Sequence, residues 1–228
     1  KLVPKTNAHY NESRWIEHMK VMLLNGSPHE RGCTDTALHE AGRMLEQAGI
    51  QTEYFWIKSE PLAGCSGCGY CARAKKCCHD DRVNEFLEAA EECDGFIFGA
   101  PVHFASICAS MSAFMDRAFY VDHCAGLDRF AFKPGAAIVS ARRAGTSASL
   151  DELNKYMLYA QMPIVSSRYW NMVHGHTPQQ VRMDEEGMQI MRVLGRNMAW
   201  LLNSLKIAAA ACLPLPEQEK RISTNYIR

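Results

Sequence analysis

The chain has 228 residues, a length that favours one domain over two equal ones. Hydrophobic residues make up 47% and charged residues 22%, which excludes a disordered, collagen-like or coiled-coil chain. Lys and Arg together number 25, and Asp and Glu also number 25. No net positive charge therefore draws the protein to nucleic acid or to an anionic membrane, and we expect small molecules and proteins as partners.

The ends of the chain and its cysteines indicate where the protein works. Residues 1–20 are polar where a signal peptide would need an apolar stretch, so we expect a protein that is not secreted. The apolar stretch 207–216 is too short to cross a bilayer of about 30 Å, so we expect no membrane span. Of the ten cysteines, five lie between Cys65 and Cys78, which predicts metal chemistry in a reducing cytoplasm.

Periodicity along the chain predicts alternating strands and helices. Strands are predicted over 21–24, 52–57, 95–99, 136–139 and 164–165, and helices over 37–48, 83–90, 107–118, 150–157 and 184–205. Residues 58–80 form a long Cys-rich loop inserted between the second strand and the second helix. This pattern predicts an α/β fold with a doubly wound, five-stranded parallel sheet over residues 20–207, between an N-terminal extension (1–19) and a C-terminal tail (208–228).

In such a sheet, ligands bind in the loops beyond the carboxyl ends of the strands. The first of these loops, 26–34, lacks the glycine spacing of a dinucleotide fold and the Gly-Lys-Ser/Thr of a P-loop. It is a hydroxyl-rich turn that leads into a helix, so its amide groups and the positive helix end predict a site for a terminal phosphate. An ordinary turn, in which Thr34 only caps the helix, is the alternative.

The second and third loops offer different groups at the same edge. The second, 99–106, combines small residues, Pro101 and two rings, against which a flat apolar ring can lie. The third, 140–146, carries Arg142 and Arg143, which can stabilise a reduced flavin or hold a cofactor phosphate. Solvated loop charges are the alternative for both arginines.

The Cys-rich loop has the spacing Cys65-x2-Cys68-x2-Cys71-x5-Cys77. The two short spacers bring three thiolates to one small object, and a fourth Cys completes the four ligands that a [4Fe-4S] cubane requires. Zinc is a competitor, although a second Cys pair, separated in sequence, is more usual for structural zinc. Free thiols remain a further alternative, and Cys78 competes with Cys77 for the fourth position.

Several motifs, in order over residues 20–205, together resemble a known family. They are Gly26-Ser27-Pro28 with Gly32-x-Thr34, Gly99-x-Pro101-Val102-x-Phe104, and Phe114-Met115-Asp116-Arg117. This combination resembles the NADPH-dependent FMN reductase branch of the flavodoxin-like superfamily, and the Cys spacing is similar to that of the iron-sulfur flavoproteins. The resemblance implies a flavodoxin-like fold and Cys77 as the fourth cluster ligand.

The resemblance also implies which residues bind FMN. It implies that Ser27, His29, Cys33 and Thr34 surround the phosphate, and that Pro101, Val102, His103, Phe104, Ala105 and Ser106 line the ring. From their loop positions we further expect contacts from Asp35 and Thr36 at the helix start, and from Ser140, Arg142, Arg143 and Gly145 of the third loop. His103, Arg142 and Arg143 are the candidate catalytic groups. The expected cluster ligands are Cys65, Cys68, Cys71 and Cys77.

Two residues depart from the family pattern. The family usually has Asn at the position of Cys33, so an amide donor to the phosphate is lost here. It commonly has Tyr at the position of His103, which can act by stacking and hydrogen bonding or as a proton donor.

The expected function is an FMN-dependent oxidoreductase that moves electrons between NAD(P)H or a ferredoxin-like protein, FMN, a [4Fe-4S] cluster and a small acceptor. The alternatives are an electron carrier without a substrate pocket, and a cluster-free reductase of quinones, azo compounds or free flavin. The resemblance implies a homodimer or homotetramer in which the cluster loop lies near a neighbouring subunit's flavin.

Overall fold

The computed structural model of the protein describes residues 19–219, 222 and 224. The expected N-terminal extension over 1–19 lies outside the described residues except for Met19. Within the described ranges, every helix is too short or too polar to span a bilayer.

Strands and helices alternate along most of the chain, as the periodicity predicts. The strands are β1 (Lys20–Asn25), β2 (Gln51–Trp56), β3 (Gly95–His103), β4 (Ser106–Ile107), β5 (Gly135–Ala141) and β6 (Met172–His174). The helices are α1 (Cys33–Gln47), α2 (Tyr70–Ala74), α3 (Arg82–Ala89), α4 (Ala109–Ala125), α5 (Thr146–Tyr159), α6 (Pro178–Met183) and α7 (Glu185–Ala210), with a 3₁₀ turn over Ala90–Glu92.

The strands form one sheet in the order β2-β1-β3-β5-β6, and every neighbouring pair on this path is parallel. The short β4 pairs antiparallel with the end of β3. This is the flavodoxin-like order, which confirms the predicted fold. The reversal of strand order next to β1 places a ligand crevice between the loops that follow β1, β3 and β5.

Helices cover both faces of the sheet. One apolar core lies between the sheet and α3, α4 and α5, and the other lies between the sheet and α1, α6 and α7. Strand β5 is buried along its whole length, which accounts for its continuous small and apolar sequence. Helices α1 and α7 cross closely at Gly195. A Cβ atom at this position would lie 2.3 Å from the carbonyl oxygen of Ala41.

The predicted fifth strand at 164–165 is wrong. Ile164 makes only an isolated bridge to Gly135, at the amino end of β5, whereas the fifth parallel strand is β6, which pairs with Val139–Ala141. The chain therefore meets β5 at its amino end, leaves the sheet, and returns beside its carboxyl end. Each of the two segments is short and apolar, so periodicity could not decide which one pairs.

Three further elements differ from the expectation. Residues 58–80 include the short helix α2. Ile107 belongs to β4 and not to the following helix, which begins at Ala109. The last helix continues to Ala210, beyond the expected domain boundary at 207.

Candidate functional site

The three loops at the carboxyl edge of the sheet form one rim. The Gly26 amide donates to the carbonyl of Gly99 at 2.8 Å, which joins the first loop to β3. The hydroxyls of Thr34 and Ser140 hydrogen-bond at 2.8 Å, which joins the first loop to the third. The second and third loops are in close contact at Gly145. A Cβ atom at this position would lie 2.5 Å from Cα of Ala105.

Asn25, the last residue of β1, shapes the first loop. Its buried side chain accepts from the Ser27 amide at 2.9 Å and donates to the carbonyls of His29 and Glu30 at 3.3 and 3.0 Å. It also donates to the Tyr54 hydroxyl on β2 at 2.8 Å. Sequence reasoning missed Asn25 as a supporting residue, although an amide directly before a loop of this kind is suited to hold it.

The start of α1 supports an anion site. Gly32 is the N-cap and provides no side-chain hydrogen bond, so the alternative in which Thr34 caps the helix is wrong. The Thr34 side chain is buried and bonded to Ser140 instead. The amides of the first helical turn therefore lack a side-chain acceptor and suit a terminal phosphate.

The remaining predicted residues of the first loop lie around this helix start. Ser27 is buried and its Oγ accepts from the His29 amide at 3.1 Å, whereas His29 itself is exposed. The Cys33 thiol lies 3.7 Å from the carbonyl oxygen of Gly175, and burial raises the pKa of this thiol. Cys33 therefore presents a neutral group beside the expected phosphate. Asp35 is half-buried and Thr36 is buried, and the Thr36 hydroxyl donates to the Gly32 carbonyl.

The second loop contains a tight hairpin between β3 and β4. His103 pairs with Ser106, so Phe104 and Ala105 form a two-residue turn, with φ angles of 50° and 62°. Positive φ at both positions is typical of a type I′ turn, which Gly or Asn usually occupies. The Phe104 ring is fully exposed, and His103 is exposed beside it.

Glu152 of α5 fixes this hairpin. Its carboxylate accepts from the Ser106 hydroxyl at 2.6 Å and from the Ile107 amide at 3.2 Å. Pro101 and Val102 are half-buried at its base. The hairpin therefore holds the exposed Phe104 ring at the rim, and Glu152 is a supporting residue that sequence reasoning missed.

In the third loop, Ser140 is buried, whereas Arg142 and Arg143 are exposed. Gly145, with φ of 92°, is the N-cap of α5. The structure thus places both arginines at the rim, in agreement with both the cofactor-binding and the solvated-charge interpretations.

The Cys-rich loop forms a separate cavity against α4. The residues that line it include the four expected ligands and a fifth cysteine: Cys65, Cys68, Cys71, Cys77, Cys78, Arg117, Tyr120 and Val121. All ten cysteines of the chain are free. Cys68 and Cys78 Sγ atoms lie 3.6 Å apart, so the loop brings these thiols together without a disulfide.

The thiols of the cavity are not arranged around one point. Within the part of the chain that the structure describes, no group of three or more His, Cys, Asp or Glu side chains could hold a metal ion. A single zinc ion needs four sulfurs about 3.8 Å apart, as follows from Zn–S bonds of about 2.3 Å in a tetrahedron. Cys65, Cys68, Cys71 and Cys77 nevertheless all line this one cavity, so its lining contains the four thiols that a four-iron cubane requires.

Arg117 of α4 reaches this cavity. Its side chain is 1% exposed, and Nε and Nη2 lie 3.3 and 3.2 Å from Sγ of Cys77. Nη1 and Nη2 donate to the two carboxylate oxygens of Asp81 at 2.8 and 2.9 Å. Burial lowers the pKa of the guanidinium, but the hydrogen bonds to Asp81 and Cys77 outweigh it and leave this pKa raised.

Two interactions near this cavity join residues that are distant in the sequence. Arg117 binds Asp81, and its neighbour Asp116 accepts from the Tyr156 hydroxyl at 2.6 Å. Burial and the neighbouring Cys124 thiol raise the pKa of Cys71. Helical spacing carries the only available signal, because Arg117, Tyr120 and Cys124 lie on one face of α4.

Comparison with known proteins places the chain in context. The family model described as NADPH-dependent FMN reductase matches residues 19–177. An iron-sulfur flavoprotein of Methanocaldococcus jannaschii is 29% identical over 199 residues, which are 82% of this chain and 100% of that protein. An iron-sulfur flavoprotein of Archaeoglobus fulgidus is 28% identical over 197 residues, which are 82% of this chain and 98% of that protein.

Solved structures share the fold. RosB with a bound 8-demethyl-8-formylriboflavin-5'-phosphate intermediate has a TM-score of 0.60 at 14% identity, and the match covers 92% of each chain. A flavodoxin from the domain Archaea has a TM-score of 0.53 at 15% identity, with 81% of this chain and 99% of that chain covered. At these identities the similarity extends to the fold alone.

Proposed function

The chain belongs to the NADPH-dependent FMN reductase family and is a flavin-dependent oxidoreductase, and we propose that its FMN lies in the rim of the three loops. We also propose that its Cys-rich loop holds a [4Fe-4S] cluster. We further propose that electrons enter from NAD(P)H or a ferredoxin-like protein and leave to a small acceptor.

The observation that carries the flavin site is the uncapped start of α1 inside a rim built from all three loops. The helix start, the exposed Phe104 ring and both arginines all lie in loops at the carboxyl edge of the sheet. A phosphate at α1 and an apolar ring on the second loop therefore suit the donor and surface chemistry of this rim.

The bound flavin would supply hydride and single-electron chemistry. The chain's own residues would bind and orient it. Asn25 holds the phosphate loop in shape, and Glu152 holds the hairpin under the ring. Arg142 and Arg143 would stabilise the negative charge that develops on reduction, and His103 would stack on the ring or hold a proton beside it.

The cluster would supply one-electron transfer. The iron-sulfur names of the two archaeal relatives and the cavity lined by the cysteines support this assignment. Cys65, Cys68, Cys71 and Cys77 would be its ligands. Lysines and Arg73 in the same loop would offset the charge of the thiolates.

Protein purified without oxygen tests both parts. We expect one FMN and four irons per chain, an iron-sulfur absorbance, and reduction by NAD(P)H. Thr34→Glu should lose FMN, because a charge buried beside a phosphate costs several kcal/mol, whereas Thr34→Val should keep more of it. Bound FAD in the native protein would contradict the flavin assignment.

A cluster-free reductase is the second candidate, favoured by the absence of a metal-binding group among the described side chains. The cysteine variants separate the two. Alanine at Cys65, Cys68, Cys71 or Cys77 should remove iron, and Cys78→Ala should retain it. Native protein with FMN and NAD(P)H turnover but without iron would establish the second candidate. Flavin reduction only by a ferredoxin, with no substrate turnover, would indicate an electron carrier.

A further inference from the structure

Arg117 is a buried cation that hydrogen-bonds to a cysteine sulfur as well as to a carboxylate. One carboxylate, that of Asp81, neutralises it with two hydrogen bonds. Two further N–H groups of the same guanidinium point at one sulfur, Sγ of Cys77, at 3.3 and 3.2 Å. Nη1 also donates to the Ala63 carbonyl, in the Cys-rich loop, at 3.3 Å.

Hydrogen bonds also hold the backbone of Cys77. Its amide donates to the Asn84 side chain at 2.8 Å, and the Asn84 amide group donates back to the Cys77 carbonyl at 3.1 Å. Asp81 in turn accepts from the Val83 amide and caps α3, so the carboxylate that holds Arg117 is itself fixed. The neighbouring Cys78 is exposed, and its sulfur lies near that of Cys68.

We infer that Arg117 is a positioning residue for the cluster: held by Asp81, it orients the Cys77 thiolate as the fourth ligand in preference to Cys78, and it raises the cluster's reduction potential. This inference rests on the proposed cluster. A buried guanidinium beside a ligand sulfur stabilises the more negative, reduced state, so its removal should lower the potential. Outer hydrogen bonds of this kind orient and tune metal ligands in general.

The experiment uses the full-length protein with FMN and cluster, purified without oxygen, as wild type, Arg117→Gln, Arg117→Lys and Asp81→Asn. Iron and FMN contents, the thermal midpoint and the potentials of both cofactors are measured. Arg129→Gln is the matched control, because Arg129 is also largely buried and pairs with Asp122, but contacts no cysteine sulfur among the described contacts.

We expect Arg117→Gln to shift the cluster's one-electron reduction equilibrium about tenfold toward the oxidised state, which is about 59 mV, with the FMN potential unchanged. Arg117→Lys should recover part of the shift, since the charge is restored without the two-pronged geometry. Arg129→Gln should lower the thermal midpoint and leave both potentials in place.

The possible failures are distinct. Wild-type protein without iron would overturn the proposed cluster and this inference with it. If Arg117→Gln keeps its iron and its cluster has the wild-type reduction potential, only the inference is overturned, and Arg117 is a structural residue. If Arg117→Gln does not fold, the potentials of Arg117→Lys and Asp81→Asn decide, because a structural role alone would leave both at the wild-type value. Retention of the cluster in Cys77→Ala but not in Cys78→Ala would overturn the ligand choice.

Discussion

Cys33 stands where the family usually has Asn, at the uncapped start of α1, and its thiol lies 3.7 Å from the Gly175 carbonyl oxygen. Because Asn supplies an amide donor there, we expect Cys33→Asn to lower the Kd for FMN about tenfold, or ~1.4 kcal/mol, as a hydrogen bond to a charged phosphate contributes. Fluorescence titration of flavin-free protein measures it. Cys33→Val has no donor, and an equal gain in that variant would attribute the effect to shape.

The two exposed arginines of the third loop are separable by their effects. If Arg142 or Arg143 stabilises the reduced flavin, its replacement by Ala should lower the flavin potential by tens of millivolts, at about 30 mV per 1.4 kcal/mol for a two-electron couple. If it holds the 2′-phosphate of NADPH, the potential should stay constant and KM should rise for NADPH but not for NADH. Spectroelectrochemistry and steady-state kinetics measure the two quantities.

Either outcome assigns a role to one arginine at the rim. If neither the potential nor either KM changes in Arg142→Ala and Arg143→Ala, both side chains are solvated loop charges and the third loop contributes only Ser140 and Gly145 to the site.

The hairpin between β3 and β4 carries local strain at the rim. Ala105 has a φ of 62°, a region that costs an L-residue about 1–2 kcal/mol and glycine almost nothing. We expect Ala105→Gly to raise the free energy of unfolding by roughly 1 kcal/mol, measured by urea denaturation. Ala144→Gly is the control, because Ala144 is exposed in the third loop and is not among the residues with positive φ, so glycine there should destabilise slightly.

A lower stability for Ala105→Gly would mean that contacts of the Ala105 methyl group outweigh the backbone strain. The stabilised variant is also informative for function, since a hairpin that binds FMN less well once relaxed would show that the strained turn preorganises the ring surface.

The sequence predicts those elements whose burial leaves a continuous or periodic apolar pattern. β1, β3 and β5 are central strands, and their runs of apolar residues identify them. The hairpin at Phe104-Ala105 was not predictable, because neither residue is typical of a turn with positive φ. The short edge strand β6 was misplaced because parallel pairing depends on where the chain returns to the sheet, which local pattern does not encode.

The same limit applies to the sites. Loop positions after β1, β3 and β5 follow from topology, so the rim was predictable as a place. Its supports, Asn25 and Glu152, act through contacts with loops and strands that periodicity does not connect. Arg117 lies 40 residues from Cys77, so a long-range contact makes it part of the cysteine cavity.

The two candidate sites are separated along α4. This helix begins at Ala109, near the rim, and the cavity-lining Arg117 lies eight residues later, or about 12 Å at 1.5 Å per residue. The cysteine cavity therefore lies farther along α4, whereas the rim lies at the carboxyl edge of the sheet. That a cluster serves the flavin of a neighbouring subunit stays a prediction.

Mixed oligomers test this expectation. Thr34→Glu should lack FMN but keep its cluster, and Cys77→Ala should keep FMN but lack the cluster. If electrons cross between subunits, each variant alone should fail to reduce FMN from a one-electron donor, because either the flavin or its donor site is missing. After the two variants are dissociated and reassembled together, oligomers that contain both chains should regain flavin bleaching. Stopped-flow absorbance without NAD(P)H measures this bleaching.

Two separately reassembled variants, combined only at the moment of measurement, are the control. If the reassembled mixture shows no more bleaching than this control, each chain reduces its own flavin and the α4 layer must provide the route.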